Sequence, residues 1–229
     1  MSEEPAPSFD AAGFPGRLER VRERIDRASS DPGSVVLVAV TKGFGADAVT
    51  AALEAGLPNL GENYADELVK KAAAIDNAAG TAPIWHFLGA IQRNKVARLS
   101  PVVTWWQGLS RLEEGQAIAR RSPDARLLVE VDMTGQAGRG GCPPERVPEL
   151  VSALVDEGMD VAGLMAVGRQ GPPEEARGDF ALVSSLADSL GLGVRSMGMS
   201  DDLEVAVAEG STMVRLGRAL FGPRAVTRR

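Results

Sequence analysis

Val35-Val36-Leu37-Val38-Ala39-Val40-Thr41-Lys42-Gly43 is the stretch on which the reading of this chain turns. Four of its nine residues are valine, and no breaker interrupts it before the terminal glycine. A short apolar run of this kind predicts a strand buried on both faces, as in parallel sheets. Side chains alternate along a strand, so Lys42 projects to the same side as Val36, Val38 and Val40. If that side is a packed interior, the Lys42 ammonium rises from the carboxyl end of the strand into the space above it. Open α/β sheets and α/β barrels place their ligands there.

The rest of the chain supplies more units of the same kind. Strands are predicted at 59–64, 84–89, 102–106, 127–131, 161–167, 194–199 and 213–217, after the first at 35–43. Helices are predicted near 46–56, 65–79, 92–99, 110–121, 145–157, 174–190 and 201–209, each between two strands. An earlier helix at 15–30 has apolar residues at Leu18, Val21 and Ile25, the spacing of an amphipathic face. Eight strands alternating with helices predict βα units and a parallel sheet. Eight also closes a (β/α)8 TIM-type barrel, with the N-terminal helix completing the outer ring. An open doubly wound sheet is the rival, disfavoured because no linker divides the similar units. The expected organisation is a disordered lead-in at 1–13, one barrel domain at 14–224 and a tail at 225–229.

Composition narrows the function. The 229 residues are 44% apolar and carry a formal net charge of −6. Basic runs do not exceed pairs such as Lys70-Lys71, so no concentrated basic face for nucleic acid is expected. The single cysteine, Cys142, excludes an internal disulfide, and with His86 as the only histidine a Cys/His zinc site is excluded too. Neither a signal peptide nor a membrane span is legible, so a cytoplasmic protein without membrane or nucleic-acid partners is expected.

Barrel closure places strand 1 between strands 2 and 8, which brings the ends of strands 7 and 8 beside Lys42. The loops after strands 7 and 8 are the usual phosphate site of this fold. Strand 7 runs into Gly198-Met199-Ser200-Asp201-Asp202, with Ser200 at or next to a helix start. Strand 8 ends in Leu216-Gly217-Arg218, where glycine permits close backbone approach and Arg218 adds charge. Taken singly, these are a helix cap and a tight turn. Flanking one strand-end lysine together, they suggest an aldehyde or ketone phosphate held as a Schiff base, which requires the neutral amine. Counting in twos from Gly217 places Arg215 on the same side as Met213, where a guanidinium needs partners.

These residues resemble a known family. Val38-Ala39-Val40-Thr41-Lys42, Gly61-Glu62-Asn63-Tyr64, Trp85-His86-Phe87-Leu88-Gly89, Ser196-Met197-Gly198-Met199-Ser200-Asp201-Asp202 and Gly210-Ser211-Thr212-Met213-Val214-Arg215-Leu216-Gly217 are similar, in order, to the pyridoxal 5′-phosphate homeostasis proteins. Those are single-domain barrels similar to the N-terminal domain of alanine racemase. The resemblance, over roughly 15–224, implies pyridoxal 5′-phosphate bound as a covalent aldimine to Lys42. It further implies that Ser200 and the backbone of Gly217 and Arg218 hold the phosphate, that Arg215 faces the pyridine nitrogen, and that Asn63 and His86 line the pocket near the ring. Arg218 departs from the family's common threonine, Ala90-Ile91 from His-Leu, and Gln107-Gly108-Leu109-Ser110 from a Ser-Val-Asp pattern. Gln136 and Arg139 stand where glutamate and lysine are common.

The implied function is intracellular vitamin B6 homeostasis and cofactor supply, by a monomer, with apo pyridoxal-phosphate enzymes as partners and with little or no turnover. A racemase-type amino-acid enzyme is the alternative, and a Schiff-base aldolase a more distant one. Arg215 can only donate, so a pyridine nitrogen facing it stays unprotonated and is a poorer electron sink. The racemase family takes its second base from a tyrosine on an additional domain, whereas Tyr64 is the only tyrosine here.

Overall fold

The computed structural model describes residues 9–75, 82–135, 140–169 and 171–223. Its strands are β1 (Val36–Val40), β2 (Asn59–Glu62), β3 (Ile84–Phe87), β4 (Val103–Leu109), β5 (Arg126–Val131), β6 (Asp160–Ala166), β7 (Val194–Ser196) and β8 (Met213–Leu216). All pair in parallel and in sequence order, and β8 returns to β1 through Val36↔Met213 to Ala39↔Leu216. The barrel is closed, and the open-sheet alternative falls. The helices are α1 (Phe14–Ala28), α2 (Ala46–Glu54), α3 (Ala65–Ala74), α4 (Arg93–Leu99), α5 (Leu112–Ala119), α6 (Val147–Asp156), α7 (Arg177–Ser189), α8 (Leu203–Ala208) and α9 (Arg218–Phe221).

Alternation along the strands divides the apolar side chains into two cores. Val38, Trp105, Leu128, Ala162, Met165 and Met213 fill the barrel interior. Their neighbours in the chain, including Ala39, Trp106, Leu127, Val129, Leu164 and Val214, face outward under the helices. The valine run therefore serves both layers, which is why it shows no polar alternation. Gly163 marks a tight place in the wall, because a Cβ there would lie 1.9 Å from the Val194 carbonyl oxygen.

Helix α1 occupies the outer ring as expected, packing on α8 and α9. Its buried stripe is Phe14, Leu18, Val21 and Ile25, each side chain contributing about 1.5–3 kcal/mol when fully buried. Phe14 stacks on Phe221 of α9 at 5.4 Å between centroids, and Arg17 Nε donates to Leu220 O at 2.6 Å. Phe9, inside the stretch expected as a disordered lead-in, is buried edge-on against Phe14 and Phe221. The packing of this aromatic, with Asp10 Oδ2 accepting from Arg17 Nη1 at 2.8 Å, holds residues 9–13 on the barrel. Residues 1–8, 224 and the 225–229 tail lie outside the described residues, as do the end of the expected 65–79 helix, Gln136 and Arg139.

Strands β2 and β7 stop at Glu62 and Ser196, two and three residues short of expectation, and two elements differ in kind. Strand β4 continues beyond Trp106 to Leu109, and α5 starts at Leu112. Gly108 hid the continuation, since it reads as a breaker. Here it is required by close packing, a Cβ there lying 2.6 Å from the Gly89 carbonyl oxygen. The second difference is α9, a four-residue helix too short to leave a periodic signal.

Candidate functional site

A cavity of about 720 Å³ opens above the carboxyl ends of the strands. Lys42 reaches it from the residue pair that follows β1, above Val40, which also lines it. The inward alternation of Val38 and Val40 thus continues to Lys42 as the sequence predicts. Asn63, one residue past β2, lines the cavity with its Oδ1 buried and without a hydrogen-bond partner. Tyr64 is exposed and does not line it.

Arg215 enters from β8 and is held at three points. Its Nη1 donates to Ser196 O at 2.5 Å and to Ser196 Oγ at 2.8 Å, and its Nη2 donates to Ala166 O at 2.8 Å. Burial pushes its pKa down to about 10, against the opposing fields of Glu130 and Asp202, so the guanidinium stays charged at neutral pH. The partners that its buried position demanded are therefore carbonyls and a hydroxyl, with the carboxylates acting at longer range.

The loops after β7 and β8 meet across the same cavity. Ser200 Oγ accepts from Ala219 N at 3.1 Å, which ties the β7 loop to the first turn of α9. Asp202 is the residue at the start of α8, and its Oδ1 accepts from Met199 N at 2.6 Å, so Ser200 lies two residues ahead of the cap. Gly217 opens α9, where a Cβ would lie 3.2 Å from Val40 O. Arg218 follows at the rim and pairs with Asp201. Met199, Ser200, Gly217 and Arg218 all line the cavity.

His86 is placed elsewhere. It is fully buried among the barrel's inward-facing residues and is not among those lining the cavity. Its ring stacks on Trp105 at 5.4 Å. Its Nδ1 lies 2.7 Å from Gln107 Nε2 and its Nε2 lies 3.0 Å from Asn59 Oδ1. The amide nitrogen of Gln107 can only donate, so Nδ1 accepts and Nε2 carries the proton to Asn59. Burial pushes the His86 pKa down to about 3, which keeps the ring neutral. Gln107 Oε1 in turn accepts from Ser196 Oγ at 2.7 Å. A hydrogen-bond chain thus crosses the barrel floor from Asn59 through His86, Gln107 and Ser196 to Arg215.

Six of the seven residues singled out from sequence, Lys42, Asn63, Ser200, Arg215, Gly217 and Arg218, surround one cavity. Glu130, Met165, Arg169 and Asp202 also line it and were not singled out. Glu130 was findable: counting in twos from the interior residue Leu128 turns it inward near the end of β5. Among the described residues, no group of three or more His, Cys, Asp or Glu side chains is placed to hold a metal ion.

Comparison with known proteins places the chain in a family and agrees with its fold. The family model for the alanine racemase N-terminal domain matches residues 17–225. The pyridoxal phosphate homeostasis protein of Pseudomonas aeruginosa is 38% identical over 215 residues, covering 90% of this chain and 91% of that protein. The chain belongs to the pyridoxal phosphate homeostasis protein family. Among solved structures, PipY of Synechococcus elongatus without pyridoxal phosphate superimposes with a TM-score of 0.82 at 28% identity, covering 91% of this chain and all of that one. PipY solved with pyridoxal phosphate bound gives 0.73, over 88% of this chain.

The residues present suit such a group. The cavity offers an amine, a permanently charged guanidinium, an unpartnered carboxamide oxygen, and a glycine-opened helix start beside a serine hydroxyl. An anionic aromatic aldehyde finds a counterpart there for each of its polar functions.

Proposed function

We propose that this protein binds pyridoxal 5′-phosphate through a Schiff base to the Lys42 amine and serves vitamin B6 homeostasis, supplying the cofactor to apo-enzymes with little or no turnover. The observation that carries the reading is the convergence of Lys42 with the Ser200 and Gly217 loops on one cavity. The naming of relatives that cover nine-tenths of the chain, and the bound cofactor in PipY, support it.

Each residue has a role that follows from its chemistry. Ser200 Oγ, the N–H groups at the start of α9 and the Arg218 guanidinium hold the phosphate. Arg215 donates to the pyridine nitrogen, and Asn63 Oδ1 accepts from a donor on the ring side. His86 acts from below, by orienting Arg215 through Gln107 and Ser196 and without touching the ligand. When bound, pyridoxal phosphate supplies an electron sink whose strength depends on protonation of its ring nitrogen. Arg215, charged and able only to donate, holds that nitrogen unprotonated.

The protein is proposed to work as a monomer in the cytoplasm. Among the described residues no helix is long and apolar enough to cross a membrane. The test follows α-proton exchange of alanine in deuterated water by NMR, with the cofactor-loaded protein. Exchange at the rate of free cofactor fits the carrier reading. Exchange far above that rate makes the protein a racemase-type enzyme.

A further inference from the structure

Behind the turn that carries Lys42, outside the barrel wall, lies a buried charged cluster. Lys71 of α3 is 7% exposed in its side chain and Glu62 of β2 is fully buried. Lys71 Nζ donates to Glu62 Oε1 at 2.5 Å, to Thr41 O at 2.7 Å and to Glu67 Oε2 at 3.3 Å. Those three acceptors use all three protons of the ammonium. Thr41 Oγ1 donates to the same Glu62 oxygen at 2.7 Å, and Gly43 N donates to Glu67 Oε2 at 2.8 Å. Both neighbours of Lys42 are therefore tied to one cluster, Thr41 by its carbonyl and hydroxyl and Gly43 by its N–H. Gly43 has φ +75°, a conformation that turns the chain sharply just after the lysine.

A buried ion pair is a weak source of stability, because a well-packed apolar pair of similar volume often serves as well. Its place directly behind Lys42 suggests another role, and its partners supply one. We propose that Lys71, Glu62 and Glu67 are positioning residues for Lys42, fixing the peptide on either side of it so that its side chain enters the cavity ready to react. This rests on the proposed function and deepens it. In the reaction concerned, the Lys42 amine condenses with an aldehyde: the C=N bond forms as the aldehyde oxygen leaves with two protons from nitrogen, as water. A preset backbone spares that step a reorganisation of the turn.

The test uses the full chain and four variants. The double variant Glu62→Gln/Lys71→Met removes both charges at once and leaves no lone buried ion. Glu67→Ala removes the acceptor for Gly43 at a partly exposed position, and Glu67→Gln restores it. Adduct formation is timed by absorbance after mixing with pyridoxal phosphate and confirmed by borohydride reduction and mass. Affinity for 4′-deoxypyridoxine 5′-phosphate, which lacks the aldehyde, reports the rest of the cavity. The expected result is adduct formation slowed about tenfold or more in the double variant and severalfold in Glu67→Ala, with Glu67→Gln within about twofold of the parent. The deoxy analogue should bind all of them alike. Unchanged adduct rates in Glu67→Ala and the double variant overturn the proposal, as does a loss of analogue binding that parallels the loss of rate. Lys42→Ala, the fourth variant, sets the background. A parent protein that binds the analogue but forms no adduct above that background overturns the Schiff-base reading itself, a different outcome from either.

Discussion

Acidification should destabilise this protein through its only histidine. His86 is held neutral with its pKa pushed down to about 3, because burial disfavours the imidazolium. In the unfolded chain it titrates near ~6.5. Between those values the unfolded state binds the extra proton, so stability is complete above the unfolded pKa and falls as pH drops towards the folded one. From pH 7.5 to 5 the difference amounts to about 2 kcal/mol, approaching about 1.4 kcal/mol per pH unit in the lower part of that range. Glu62 acts with opposite sign, since burial outweighs the Lys71 ammonium and raises its carboxyl pKa. The experiment therefore compares the parent with His86→Gln, in which only the histidine contribution is gone. Urea unfolding of the cofactor-free protein at pH 7.5, 6 and 5 should show the parent losing about 2 kcal/mol more than the variant over the range. Equal losses in both, or a His86 ring that titrates near 6.5 by NMR in the folded protein, would refute a neutral histidine locked between Asn59 and Gln107.

Two further substitutions address the cavity and the wall. Ser200→Ala removes the hydroxyl that links the β7 loop to α9 and should weaken pyridoxal phosphate binding by about 1–3 kcal/mol in a fluorescence titration, whereas undiminished affinity would place the phosphate elsewhere. Gly163→Ala puts a Cβ 1.9 Å from Val194 O, so β6 and β7 must part; unfolding stability should fall by about 1–3 kcal/mol, and an unchanged midpoint would contradict the tight approach.

The parts of the site that were legible in the sequence are those carried by strand alternation. Val38 and Val40 aimed Lys42, Met213 and Gly217 aimed Arg215, and closure of eight units brought the two loops to the same cavity. What stayed hidden depended on contacts between elements far apart in the chain. Lys71 reads as half of a surface pair with Lys70, yet it is buried behind Thr41 because α3 lays that face on the barrel. Gln107 was concealed by Gly108, which looked like a strand end but permits the approach of Gly89. His86 sits on the inward side at the level of Trp105, one layer below the cavity, and the sequence specifies the side of the wall far better than the depth. Phe9 had no periodic partners, since its contacts are to Phe14 and to Phe221 more than two hundred residues away.

The most direct test of the central claim is the site of covalent attachment. Protein incubated with pyridoxal phosphate, reduced with borohydride and digested should yield one modified peptide, with the added mass on Lys42. Lys42→Ala should give no such peptide while retaining the parent's far-ultraviolet circular dichroism. A modified residue other than Lys42, such as Lys95 or Lys71, or an adduct that survives in a folded Lys42→Ala protein, would contradict the assignment.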